Sequence, residues 1–221
     1  QRLQAVQRVA VTDQDAVKIL AIEGIGELVQ RPHRHLFVAG AAEFIEHRQR
    51  AFDDFAAVAE DLSARKVTSQ RRLGIYGRSN GGVLTTVSMT QRPDLLNAVV
   101  VESPLVDMLR YNKLSAGASW MSEYGNPDVP AEWAYISKYS PYQNIDAAKT
   151  YPPILFTTST RDDRVHPGHA RKMVARMLEQ GHDVLYYENI EGGHGGAADN
   201  QQAAYLQAIE YAFLAKQLGL K

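Results

Sequence analysis

Apolar and polar positions along the chain change rhythm several times, and each change marks an element. Phe52, Phe55, Ala56, Ala59 and Leu62 recur at helical spacing, with Asp53, Asp54, Glu60 and Asp61 on the other face and in the first turn, where acids suit the helix dipole. This predicts an amphipathic helix laid on a sheet. Leu73, Ile75 and Tyr76 read as a strand, Val83 to Gln91 as a helix stopped by Pro93, and Ala98 to Val101 as a buried apolar strand. Pro153 to Thr158 is the next strand. A helix follows, with Pro167 near its first position, Ala170, Met173, Val174, Met177 and Leu178 on one face, and Gly181 as its stop. Val184 to Tyr187 is a further strand, and a last helix from Gln201 to Leu218, apolar at Tyr205, Ile209, Ala212 and Phe213, closes the chain. Strands alternating with helices predict right-handed crossovers and a mostly parallel sheet flanked by helices.

Two stretches depart from that rhythm. Residues 1–50 form a poorly specified leading section in which Val9 to Val11, Val17 to Ile22 and Leu36 to Ala39 each suit a short strand, and Gly24 and Gly26 mark a turn. All 11 tyrosines lie at or after Tyr76, so the composition shifts before the middle of the chain. Residues 103–151 carry Trp120, Trp133 and many of the tyrosines and prolines. They read as an aromatic-rich excursion of short helices and loops between two core strands, a place where a scaffold keeps substrate-facing rings. For most of these rings a satellite core is the favoured expectation.

Bulk properties narrow the function classes. A chain of 221 residues with 45% hydrophobic content is long enough for one sizeable core, which predicts a single domain. A formal net charge of -1 gives no basic field for nucleic acid or an anionic membrane, so a small or neutral partner is expected. With no cysteine, disulfides, thiolate chemistry and cysteine-based zinc sites are excluded together. Neither an apolar run long enough to span a membrane nor a signal peptide is visible, which favours the cytoplasm.

The chemistry centres on Gly77, Arg78, Ser79, Asn80 and Gly81, which fit G-x-S-x-G between a strand and a helix. A serine there must turn sharply, and small neighbours admit the strained backbone. The turn lifts the hydroxyl clear of the sheet, and the Asn80 amide at the helix start is free to donate to a developing oxyanion. A serine hydroxyl needs a base, and the base an acid. Asp162 or the adjacent Asp163 follows the second of three core strands and His194, within Glu191-Gly-Gly-His-Gly-Gly, follows the third. In a parallel sheet those carboxyl ends share an edge, and the order Ser, Asp, His is that of α/β-hydrolases. Arg164 stands ready to pair with one of the two aspartates or to meet substrate. His33 and His35 are read as a solvated loop. His166 and His169, three apart beside Asp162 and Asp163, make a metal site conceivable, but no metal or cofactor is needed by the nucleophile reading.

The chain resembles the catalytic domain of the prolyl oligopeptidase family. The resemblance rests on FDDFAAVAEDL at 52–62, RRLGIYGRSNGG at 71–82, QRPDLLNAVV at 91–100, GASWMSEYG at 117–125, YSPYQNI at 139–145, DDRVHPGHARKM at 162–173 and EGGHGG at 191–196. It implies an α/β-hydrolase fold with Ser79 as nucleophile, Asp162 as acid, His194 as base and the Asn80 amide in the oxyanion hole. It further implies that Trp120 stacks on a proline ring in the first specificity pocket, helped by Tyr124, Leu105 and Val165, and that Arg164 hydrogen-bonds a substrate carbonyl. Departures are also visible. Nothing in these residues has the repeats of the family's β-propeller, the family's glycine-rich segment before the FDDF helix has no counterpart beyond AGAAEF at 39–44, no tyrosine precedes Tyr76 to serve as second oxyanion donor, and Arg78 stands where the family has a small residue. The expected activity is therefore hydrolysis of carboxylic esters or peptide acyl bonds, with short-chain esters favoured over short prolyl peptides. The alternatives are a proline-specific oligopeptidase, or a non-catalytic hydrolase remnant that binds or assembles. An exposed sheet edge predicts a homo-oligomer through edge pairing.

Overall fold

The computed structural model describes residues 18–22 and 47–220. Its centre is a parallel sheet whose five described strands run in the order β1 (Lys18–Ile22), β2 (Leu73–Arg78), β3 (Ala98–Glu102), β4 (Ile154–Ser159) and β5 (Val184–Asn189). Each neighbouring pair is parallel, with Ile22 opposite Gly77, Arg78 opposite Glu102, and Ser159 opposite Asn189. Every strand therefore ends at the same edge. The strand proposed at Val17 to Ile22 is β1. Val9 to Val11, Leu36 to Ala39, the Gly24 and Gly26 turn, His33 and His35 all lie outside the described residues.

Helices cover both faces, which is why β3 reads as an uninterrupted apolar run. Val99 and Val101 point into one core with Phe52 and Phe55 of α1 (Gln49–Ala64), Val83 and Val87 of α2 (Asn80–Gln91), and later elements. Ala98 and Val100 point the other way and meet Phe213, Leu214 and Leu218 of the last helix. Both sets on β3 are fully buried, each valine contributing about 1.5–3 kcal/mol by transfer from water.

The excursion from 103 to 151 folds into 3-10 turns and three short helices, α3 (Met121–Tyr124), α4 (Pro130–Ile136) and α5 (Pro141–Asn144). Its rings do not form a satellite core. Tyr111, Tyr124, Tyr139 and Tyr151 join the main cluster, Phe52 of α1 packing on Tyr139 at 5.4 Å between centroids. The excursion folds back over α1 and α2, so its aromatics and the sheet share one dry volume.

Three helix details depart from the expectations. α1 begins at Gln49, which leaves its first turn without an acid; Asp53 sits in the second turn and accepts from the Gln49 side-chain Nε2 at 2.9 Å. In α6 (Gly168–Glu179), Ala170, Met173, Val174 and Met177 are buried, but Leu178 is exposed because it lies at the margin of the stripe in the last turn. That helix closes with the His182 amide on the Met177 carbonyl and the Gly181 amide on the Leu178 carbonyl, both at 3.0 Å, a Schellman pairing. In α7 (Asn200–Leu218) the buried face runs through Leu206, Glu210, Phe213, Leu214 and Leu218, whereas Tyr205 and Ala212 face solvent. The buried acid Glu210 disguises the stripe, so the apolar pattern alone misplaces the helix by part of a turn.

Candidate active site

Ser79 sits between β2 and α2 with φ 56 and ψ -116, outside the regions an L-residue favours. The strain is held by close packing. A Cβ at Gly77 would lie 2.2 Å from the Gly81 carbonyl oxygen, and one at Gly82 would lie 2.6 Å from the Pro104 Cβ. Two hydrogen bonds complete the turn: the Ser79 amide donates to the Glu102 carbonyl at 2.9 Å, and the Gly82 amide to the Ser79 carbonyl at 2.9 Å. Ser79 is half-buried. Asn80 opens α2, so its N–H is among the four that no carbonyl of the helix can take.

At the ends of β4 and β5 an acid and an imidazole meet. His194 Nδ1 lies 2.9 Å from Asp162 Oδ2 and 3.1 Å from Oδ1. Asp162 Oδ1 also accepts from the amides of Arg164 at 3.0 Å and Val165 at 2.8 Å. Burial pushes the Asp162 pKa up, but His194 and the two amides outweigh it and hold the carboxyl below the usual carboxylate range. Asp163, the other candidate acid, is exposed. The histidine loop is tied down at its start by Asn189, whose side-chain oxygen accepts from the amides of Glu191 and Gly192, each at 2.9 Å.

The pocket residues fall into two groups. Tyr124, Val165 and Leu105 are buried in the main core, while Trp120 packs against it half-buried. Arg164 is exposed. Tyr124 is joined to the Asn80 side chain, its hydroxyl donating to Asn80 Oδ1, and burial raises its pKa so that the phenol keeps its proton.

That contact belongs to a network built on two residues the sequence reading did not single out, Arg48 and Glu123. Arg48 donates to Asn80 Oδ1 at 3.2 Å, to Glu123 Oε1 at 3.1 Å and to the Glu123 carbonyl at 3.2 Å, and stacks over the Tyr124 ring at 4.1 Å. Asn80 Nδ2 donates to Glu123 Oε1 at 3.2 Å. Arg48 lies in the leading section that pattern left unspecified, and nothing about an arginine just ahead of a helix signals a destination 75 residues away. The pair holds Asn80 from both sides of its amide group.

His166 and His169, the pair that made a metal site conceivable, are occupied separately. His169 is buried with its Nδ1 accepting from the Asp107 amide at 3.1 Å, and burial lowers its pKa to about 4, so it is neutral. His166 Nδ1 accepts from the Gly168 amide at 2.9 Å. Among the described residues no cluster of three or more histidine, cysteine or acidic side chains could hold a metal ion.

Comparison with known proteins gives the family and the fold. Residues 45–221 match the prolyl oligopeptidase family. An uncharacterized peptidase of Sinorhizobium fredii is 55% identical over 172 residues, covering 78% of this chain and 24% of its own length. A prolyl oligopeptidase of Omphalotus olearius is 40% identical over 182 residues, covering 80% of this chain and 24% of its own. Among solved structures, a post-proline cleaving enzyme from Rickettsia typhi superposes with a TM-score of 0.77 at 42% identity, covering 80% of this chain and 26% of the other. The chain thus spans about a quarter of the length of these relatives. The fold is that of their catalytic domain, an α/β-hydrolase.

Proposed function

Because this chain belongs to the prolyl oligopeptidase family of serine peptidases, we propose that it is a serine hydrolase that cleaves ester and peptide acyl bonds through an acyl-enzyme on Ser79. The observation that carries the reading is the Asp162–His194 pair at 2.9 Å on the same sheet edge as a strained, half-buried serine.

In this reading Asp162 accepts the Nδ1 proton of His194 in a hydrogen bond and so leaves Nε2 unprotonated, available to the hydroxyl as base. His194 removes the Ser79 proton as Oγ attacks the acyl carbon. The Asn80 N–H, backed by the N-terminus of α2, steadies the oxyanion. The proton then passes from His194 to the leaving oxygen or nitrogen, the acyl-enzyme remains, and water activated by the same imidazole releases the acid. Arg48 and Glu123 keep Asn80 in place. Trp120, with Tyr124, Val165 and Leu105 behind it, offers an apolar wall suited to a proline ring, and exposed Arg164 offers a donor to a substrate carbonyl.

For the 221-residue chain by itself, short-chain esters are the favoured substrates over proline amides. An activated leaving group leans less on oxyanion donors than an amide does. The names of the relatives point to cleavage at proline as the peptide activity. Labelling with a fluorophosphonate probe tests the nucleophile: wild type takes the label, Ser79→Ala takes none and His194→Ala takes it far more slowly. A folded wild type that stays unlabelled overturns the reading. Rates on p-nitrophenyl butyrate against a blocked Gly-Pro amide test the preference, and faster amide cleavage overturns it.

A further inference from the structure

Arg78, between the turn glycine and the serine, reaches across to the histidine loop. One terminal nitrogen of its guanidinium donates to the backbone carbonyl of His194. Its Nε lies 3.2 Å from Glu102 Oε1, a charge contact without hydrogen-bond alignment. The other Glu102 oxygen accepts from the Tyr76 hydroxyl, and the Glu102 carbonyl accepts from the Ser79 amide at 2.9 Å. The loop also rests on the same carboxylate, since a Cβ at Gly196, where φ is 81, would stand 2.6 Å from Glu102 Oε1. Glu102 is thus the common footing of the serine backbone and, through Arg78, of the histidine backbone.

We propose that Arg78 is a positioning residue that fixes the backbone of His194 relative to Ser79, so that the imidazole is delivered to the hydroxyl. The inference rests on the reading of Ser79 and His194 as nucleophile and base. Asp162 holds the ring at one nitrogen, which leaves it free to pivot about that contact. The backbone that carries the ring passes through Gly192, Gly193, Gly195 and Gly196, which lack the β-carbons that would stiffen it. A second fixed point, on the carbonyl of His194 itself, removes the pivot. Arginine suits the task because its planar fork can address a carbonyl and a carboxylate at once, which a lysine ammonium on a flexible stem does less well. A displacement of about 1 Å between reacting groups can cost about 100-fold in rate.

The rival role for Arg78 is to neutralise buried Glu102 and nothing more, and a double variant separates the two. The full chain is assayed as wild type, Arg78→Met, Arg78→Lys and Arg78→Met with Glu102→Gln, reading the fluorophosphonate labelling rate, kcat and KM on p-nitrophenyl butyrate, and solvent exchange of the His194 Nδ1 proton by NMR. Arg78→Met and the double variant are expected to lose about 10- to 100-fold in labelling rate and kcat with KM held. Arg78→Lys falls between them and wild type, and the Nδ1 proton exchanges faster wherever the fork is lost. Wild-type rates in Arg78→Met, or recovery of wild-type rates in the double variant, overturn the proposal. Should the wild type take no label, the nucleophile reading fails separately and the proton signal decides: unchanged protection in Arg78→Met overturns the tether, and lost protection supports it. If Arg78→Met does not fold, Arg78→Lys carries the same comparison, and a labelling rate and proton protection equal to wild type overturn the proposal.

Discussion

The serine turn and the histidine loop lie at the same edge of the sheet but are held by different forces. The turn from Gly77 to Gly82 is fixed by contacts among its own backbone atoms and the neighbouring strand end, with spaces too small for a methyl group at Gly77 and Gly82. The loop from Glu191 to Gly196 has one backbone hydrogen bond of its own, from the Gly196 amide to the Gly193 carbonyl at 3.0 Å, and a close approach of Gly192 to Ala197, and it is otherwise held by side chains elsewhere: Asn189 at its start, Asp162 on the ring, Arg78 on the carbonyl from 116 residues away. Steric fixation is local and fails by misfolding. Fixation by hydrogen bonds and charge is distant and fails by misplacement, leaving a folded protein with a slow site. The arrangement suits the proposed division of labour, since a nucleophile needs a rigid mount and a base must shuttle a proton between two partners.

Three substitutions test this contrast, from the largest expected effect to the smallest. Asp162→Asn should lower kcat on p-nitrophenyl butyrate by about 10⁴-fold, because an amide at that position stabilises the wrong imidazole tautomer. Its melting temperature should stay near that of the wild type, since the side-chain oxygen can still accept from the Arg164 and Val165 amides. A variant that unfolds instead would make the histidine loop part of the structural frame and erase the distinction. Gly77→Ala should behave in the opposite way. With a Cβ 2.2 Å from the Gly81 carbonyl oxygen, it should lose about 3 kcal/mol in urea unfolding, and any folded fraction should label poorly. Wild-type stability in that variant would remove the steric account of the turn.

The smallest effect concerns the ground beneath the loop. Glu210 on α7 accepts from Thr157 at 2.8 Å, and burial, followed by the nearby Glu102 charge, raises its pKa from 4.5 to about 7. A raised pKa means that the folded state holds the proton more tightly. The stability this contributes is complete below about pH 4.5 and is lost as pH rises through about 7. Glu210→Gln keeps an acceptor for Thr157 and removes the titration, so it should gain on wild type as pH climbs from 4.5 to 8, by about 3 kcal/mol at most. Thermal melts at pH 4.5 and pH 8 read this directly. Parallel curves for the two proteins would show that Glu210 does not titrate there, and that the footing of the histidine loop is less electrostatically loaded than the contrast supposes.

How much of this was legible in the chain depends on how far each feature reaches. The order of strands and helices, the parallel sheet, the strained serine turn and the positions of Asp162 and His194 after their strands could all be read, because periodicity and turn chemistry are properties of a few neighbouring residues. The choice of Asp162 over Asp163 could not be made from the residues alone. It follows from which carboxylate the loop after β4 turns inward to meet His194 and two amides. The face of α7 was misplaced because Glu210, an acid by composition, is buried beside Thr157 and Leu206 takes the place assigned to Tyr205. Arg48, Glu123 and Glu102 carry no local mark at all. By itself the sequence determined the alternation of elements and the types of group at the sheet edge, since those are set by spacing and backbone stereochemistry. Only the tertiary structure decided which charges face one another, because hydrogen bonds and ion pairs between residues far apart in the chain depend on the packing that brings them within about 3 Å.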